Sequence, residues 1–266
     1  MRRQQLLAIL SAALVGFLLV LSLPFLNPKP PPGNTNLLVS AAASLKEALT
    51  EIKQSYQRAH PDVNLTFNFG ASGALLQQIE QGAPADILIV AAQQQMDTLA
   101  QKGALVVGTR ANLASNRLVL IAPIGSSMVT NFTSLKKAEI KRIAIGEPRS
   151  VPAGYYAKQV LQKLGLWSDV KPKLVYGNTV RQVLATVESG NADGGFVYRT
   201  DAKISHRIKV IAVANASDHA AIVYPMAVLN SSKNINGAKA FVQYLSGSEA
   251  RGILRQYGFI VPKSDR

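Results

Sequence analysis

The sequence predicts an α/β protein of mostly parallel sheets flanked by helices, and three observations carry that prediction. Short apolar runs alternate with amphipathic helical patterns along most of the chain. The chain has 266 residues, 48% of them apolar and 17% charged, enough for one large core or two medium ones. There is no cysteine, and the three histidines (His60, His206, His219) are scattered. Disulfide frameworks, thiolate metal sites, cysteine nucleophiles and an acylated cysteine therefore drop out, and a histidine-built metal centre is disfavoured.

Residues 1–35 stand apart from the rest. A basic start, Met1-Arg2-Arg3, precedes an uncharged apolar run over 6–23, the outline of an export signal. The run has 18 residues, longer than the roughly 7–15 of a signal core and near the lower limit of a membrane span. A stretch with five prolines over 24–33 follows, a stiff extended spacer. Export is expected, with residues 6–23 either cleaved or kept as a membrane tether. The exported body would carry 26 basic and 15 acidic residues, a formal +11. Export and an aromatic content of 6% argue against nucleic acid as a partner. The positive excess favours a small anion or a membrane surface.

In the body, 37–39 reads as a buried strand. Leu45, Ala48, Leu49, Ile52 and Tyr56 then hold the i, i+3, i+4, i+7 spacing of a helix. Residues 63–67 alternate as a strand, 74–81 predict a helix, 87–90 a strand and 96–102 a helix. Further strands are predicted over 118–122, 143–145, 195–197, 208–213 and 224–229. Helices are predicted over 154–164, 180–189, 237–245 and 249–257. Ligands of open α/β sheets bind beyond the carboxyl ends of strands, where the next helices begin, so the helix starts are the places to inspect.

Four of these starts are polar and lack acid in the positions that would meet a ligand. Ser44 and Glu47 fit a capping box, and Ser44 taken alone reads as a cap. Ser72 lies in Gly70-Ala71-Ser72-Gly73, a plain capped turn or a site of close backbone approach. The stretch Ser150-Val151-Pro152-Ala153-Gly154 puts proline in a first helical turn, with Gly154 expected to leave bare N–H groups outward. Gly177-Asn178-Thr179-Val180 offers a second capping pair, Thr179 with Gln182. A helix start presents unpaired N–H groups and a partial positive charge, which suits an oxyanion. Four such starts together predict a cage of donors only, one that favours a fully ionised dianion over an anion that still carries a proton.

These residues resemble the periplasmic molybdate-binding proteins of ABC importers, over nearly the whole body from 37 to 261. The resemblance rests on Ala41-Ala42-Ala43-Ser44-Leu45, Gly70-Ala71-Ser72-Gly73, the run from Gln78 through Gly82-Ala83-Pro84-Ala85-Asp86, Val151-Pro152-Ala153-Gly154, Val197-Tyr198 and Tyr257-Gly258-Phe259. It implies a two-lobed binding protein with the ligand in the interlobe cleft. Lobe 1 would comprise 36–115 and 224–266, lobe 2 would comprise 116–223, and crossovers near 118–122 and 224–228 would serve as hinges. Carried over motif by motif, the molybdate contacts are Ser44, Ser72, Ala153, Val180 and Tyr198, touching the oxyanion's oxygens rather than its metal. Arg181, beside Val180, is expected to face solvent or steer the anion. Without ligand the donors would face each other unsatisfied, which predicts an open resting state. The resemblance further implies a membrane permease as partner, a monomer, no cofactor, and molybdate or tungstate as cargo. The location implied is the periplasm, soluble after cleavage or tethered to the outer face of the membrane.

Two other readings stay open at this stage. One is a receptor for another tetrahedral oxyanion such as sulfate. The other is a secreted serine hydrolase using Ser72 or Ser44, which needs a general base that the sequence does not offer convincingly.

Overall fold

The computed structural model describes residues 35–261, so the apolar run and the proline spacer lie outside the described residues. Among the described residues no helix is long and apolar enough to cross a membrane. Ten strands among the described residues form two sheets. The first holds β1 (Thr35–Ala42), β2 (Val63–Gly70), β3 (Ile87–Ile89), β4 (Ala111–Ser115) and β10 (Val223–Val228), in the order β2-β1-β3-β10-β4. The second holds β5 (Leu118–Pro123), β6 (Ile143–Gly146), β7 (Leu174–Gly177), β8 (Gly194–Tyr198) and β9 (Ile208–Val213), in the order β7-β6-β8-β5-β9. In each sheet one strand runs against the others, β10 in the first and β5 in the second. This is the two-lobed, mostly parallel α/β fold that the sequence predicts.

The helices follow the strands. In chain order they are α1 (Lys46–Ala59), α2 (Ser72–Glu80), α3 (Gln93–Gln101), α4 (Pro152–Lys163), α5 (Trp167–Val170), α6 (Val180–Glu188), α7 (Arg199–Lys203), α8 (Ile235–Leu245) and α9 (Ser248–Gln256). Helices α1–α3 and α8 pack on the first sheet, with α9 against α1 and α8; α4, α6 and α7 pack on the second, with α5 against α4. In α1 the residues Ala48, Leu49, Ile52 and Tyr56 are buried, the stripe given by the helical spacing. Four short elements, β4, β7, α5 and α7, carry no periodic signal in the sequence. None exceeds five residues, a length at which a pattern registers only sometimes, since β3, β6 and β8 are as short and do read as apolar runs.

The chain crosses between sheets at 116–117 and again at 214–222. These crossings lie just ahead of 118–122 and 224–228, near which they are expected, and the two segments themselves form β5 and most of β10, as strands. Leu118, Val119, Leu120, Ile121 and Ala122 are each fully buried. An unbroken apolar run belongs in a strand covered on both faces.

The long motif ending at Asp86 has a structural task. Gly82 takes φ 85° just past the end of α2, a conformation glycine adopts without strain. The carboxylate of Asp86 then accepts from Leu38 N at 2.7 Å and from Ser232 Oγ at 2.6 Å. One side chain thus ties β1 to the segment that follows β10.

Gly154 corrects its expected role. Its N–H donates to Val151 O at 2.9 Å instead of standing bare. What the position requires is closeness, because a Cβ there would lie 1.8 Å from Gly146 O. Helix α4 can therefore sit against the end of β6 only with glycine at 154. Gly154→Ala is expected to lower the unfolding free energy by about 3 kcal/mol with an unchanged denaturant slope, measured by urea titration.

Candidate functional site

Helix starts from both sheets converge on one point. Strand β1 ends at Ala42 and turns through a 3₁₀ turn, Ala43–Leu45, into α1. Strand β2 runs through Ala71 into α2, and Val151 precedes α4. Thr179 caps α6, and Tyr198 ends β8 at the start of α7. Ser44, Ser72, Ala153, Val180 and Tyr198 all border a single small cavity between these ends. All five are buried, and no charged side chain lines the space. The space is small, about 10 Å³ as traced by the centre of a water-sized sphere, which suits a ligand of few atoms.

The wall offers donors. Ser72 Oγ accepts from Ala91 N at 2.9 Å, which leaves its own proton to give. Ser44 Oγ lies 2.9 Å from Tyr224 Oη. Tyr198 Oη is buried with no partner among the described residues. Burial, with smaller contributions from Tyr224, Tyr156 and Asp201, pushes the Tyr198 phenol well above its ordinary pKa, so it keeps its proton. Ala153 and Val180 stand in the first turns of α4 and α6, where backbone N–H groups have no carbonyl of their own helix to bond.

The two expected capping pairs part company. Thr179 Oγ1 accepts from Gln182 N at 3.1 Å and Gln182 Oε1 accepts from Asn178 N at 2.7 Å, so that pair forms. The Ser44–Glu47 box does not. The 3₁₀ turn begins one residue before Ser44, with Ala42 in the capping place, so the Ser44 hydroxyl is turned to Tyr224. Glu47 instead pairs with Arg181.

Arg181 faces neither solvent nor the cavity. Its side chain is 19% exposed and reaches from α6 to the other lobe, pairing with Glu47 and donating to Ala43 O and Ser44 O at 3.4 Å each. Arg181 Nε also lies 3.0 Å from Asp201 Oδ1, near enough for charge pairing though poorly aligned as a hydrogen bond. Asp201 is wholly buried, and its other oxygen accepts from Tyr198 N at 3.1 Å. Burial pushes the Asp201 carboxyl up to about 6, against the lowering influence of Arg181 and of the Tyr198 N–H. Gly73 N donates across the cleft to Ser150 O at 2.9 Å, and Tyr156 Oη to Ala91 O at 3.3 Å. The arrangement is a closed one, not the open form expected of a resting receptor.

The hydrolase reading finds no support in this geometry. No histidine, lysine or carboxylate lines the cavity, so neither Ser44 nor Ser72 meets a general base there. Sequence reasoning missed Tyr224, Asn116, Ala91 and Asp201. Only Asp201 carries a local signal, since it lies three residues beyond Tyr198, at the spacing of a capping acid.

Comparison with known proteins agrees with this architecture. The family model described as bacterial extracellular solute-binding protein matches residues 37–260. A protein of Bacillus subtilis (strain 168), provisionally named an ABC transporter substrate-binding lipoprotein, is 44% identical over 224 residues, covering 84% of this chain and 85% of the relative. The molybdate-binding protein ModA of Escherichia coli (strain K12) is 40% identical over 232 residues, covering 85% and 89%. Among solved structures, the periplasmic molybdate-binding protein of Azotobacter vinelandii superposes with a TM-score of 0.78 at 25% identity, covering 85% of this chain and all of that one.

The interlobe contacts give a direct test of closure. A Cβ at Gly73 would lie 2.8 Å from the Ser150 backbone, so Gly73→Ala should hold the lobes apart. The closed form is expected to lose at least about tenfold in population, about 1.4 kcal/mol. Small-angle X-ray scattering should then report a larger radius of gyration, with an unchanged far-ultraviolet circular dichroism spectrum.

Proposed function

Because the chain belongs to the family of bacterial extracellular solute-binding proteins, we propose that it is the substrate-binding component of an ABC importer for molybdate, with tungstate as an equivalent cargo. The family is one of binding proteins rather than enzymes, and its members work outside the cytoplasm. The observation that carries the choice of ligand is the cavity wall, which holds hydroxyl and backbone N–H groups and no charge. A dianion only accepts hydrogen bonds, and hydrogen bonds to an ionised acceptor are roughly twice as strong as neutral ones. In this reading Ser44, Ser72 and Tyr198 donate through their hydroxyls, and Ala153 and Val180 through their backbone N–H groups. The anion is cargo, not a cofactor, and the oxygens meet the protein while the metal does not.

The two lobes part to admit the anion and close over it, with Arg181 binding lobe to lobe once they meet. A membrane permease receives the closed form, and the receptor acts as a monomer. The sequence has no cysteine to carry an acyl chain, and the tether in this reading runs through residues 6–23. Where that run is cleaved, the body is free in the periplasm.

A thermal-shift series on residues 36–266 with molybdate, tungstate, sulfate and phosphate tests the reading. Molybdate and tungstate at 100 times Kd should each add about 2.7 kcal/mol of apparent stability, and sulfate and phosphate far less. Ser72→Ala should weaken molybdate binding by at least about tenfold, since one charge-assisted donor is lost. A shift with sulfate alone would keep the fold and change the cargo. No shift with any of the four would overturn the reading.

A further inference from the structure

We infer that Asn116 and Tyr224 are positioning residues that hold the Ser44 hydroxyl in its donor sense toward the bound anion, through a hydrogen-bond chain whose direction is set at the crossing between the lobes. The inference rests on the reading of the cavity as an oxyanion site and adds a specificity device to it.

The direction follows from groups that have no choice of role. A backbone N–H can only donate, and Arg117 N lies 2.9 Å from Asn116 Oδ1. That contact fixes which end of the Asn116 amide is oxygen, the assignment that is otherwise ambiguous. The amide nitrogen therefore faces Tyr224 Oη at 3.2 Å and Thr200 Oγ1 at 2.9 Å, and it too can only donate. Tyr224 Oη accepts that proton. The Tyr224 ring is wholly buried, and burial raises its phenol far above the ordinary range, so Tyr224 keeps its own proton. Among the described residues its other partner is Ser44 Oγ at 2.9 Å, and the proton goes there. Ser44 Oγ is thereby an acceptor on its inner side, and its proton is left for the cavity it borders.

Ser72 reaches the same state by a shorter path, since Ala91 N donates to it directly. Each serine is thus polarised by a backbone N–H, Ser72 in one step and Ser44 through Asn116 and Tyr224. A ligand oxygen that carries a proton needs an acceptor, and both hydroxyls have their protons turned toward it. Discrimination against protonated anions is accordingly built into residues that never touch the ligand.

Asn116→Asp reverses the chain without removing it. A carboxylate at 116 still accepts from Arg117 N, but it also draws the Tyr224 proton. Ser44 must then turn its proton to Tyr224, or the two oxygens face each other with no proton between them. Tyr224→Phe deletes the link and leaves Ser44 free to rotate and donate. Tungstate binding, measured by calorimetry on the parent, N116D, Y224F and the double variant, separates the outcomes. We expect N116D to lose about 30-fold, Y224F about threefold or less, and N116D/Y224F to regain about threefold or more over N116D. An equal loss from N116D in both backgrounds would mean a plain charge effect and would overturn the inference. If the parent itself binds no tungstate, the reading of the site fails instead. If N116D does not fold, Y224F carries the test alone. Its preference for tungstate over hydrogen phosphate, taken from competition at pH 7, should narrow about threefold, and an unchanged preference would overturn the inference.

Discussion

The unpaired N–H groups at helix starts are the feature on which the rest of this structure depends. Every helix begins with backbone donors that its own carbonyls cannot reach. The α/β fold places such starts at the carboxyl ends of parallel strands, and here two sheets aim them at each other. The small residues around them, Ala42, Ala43, Gly70, Ala71 and Ala153, let the backbones approach closely, so the cavity is walled largely by main chain. An anion taken there exchanges water for fixed dipoles, and no counter-charge has to be buried with it.

The charges the protein does use lie just outside that wall. Arg181 sits next in sequence to Val180 yet points away from the cavity, to Glu47 and to the carbonyls of Ala43 and Ser44. Its links to the first lobe exist only when the lobes meet. Asp201, in the second lobe with Arg181, stays beside it and also holds the Tyr198 backbone. One cationic side chain can therefore report closure without touching the ligand. In the proposed reading, neutral groups serve recognition and ionic groups closure, which would account for a charged residue beside Val180 in a wall that carries no charge.

Much of the fold was legible because it rests on local patterns. The stripe of α1, the run of β5 and the Thr179–Gln182 cap all lie within a few residues and formed as read. Elements of five residues or fewer were legible only in part: β3, β6 and β8 read as short apolar runs, while β7 and α7 left no such trace. The helix starts were legible for the same local reason, and the resemblance named the positions among them. What could not be read were pairings over long separations. Ser44 fits a capping box by spacing, but its partner is Tyr224, 180 residues on, and the partner of Glu47 is Arg181, 134 residues on. A capping motif states which bonds are within reach and says nothing of a stronger partner arriving from another sheet. The polarity of the Ser44 hydroxyl depends on Asn116, a residue with no motif at all, at a crossing that becomes visible only once both sheets are in place.

The central claim is that the ligand occupies the uncharged cavity between the lobes and not the basic surface. A crystal structure of residues 36–266 grown with tungstate, with the metal located by its anomalous scattering, tests this most directly. The account predicts one strong peak between the starts of α2, α4 and α6, with its oxygens within hydrogen-bond distance of Ser44, Ser72 and Tyr198. A peak held by surface lysines or arginines, with the interlobe cavity unfilled, would contradict it.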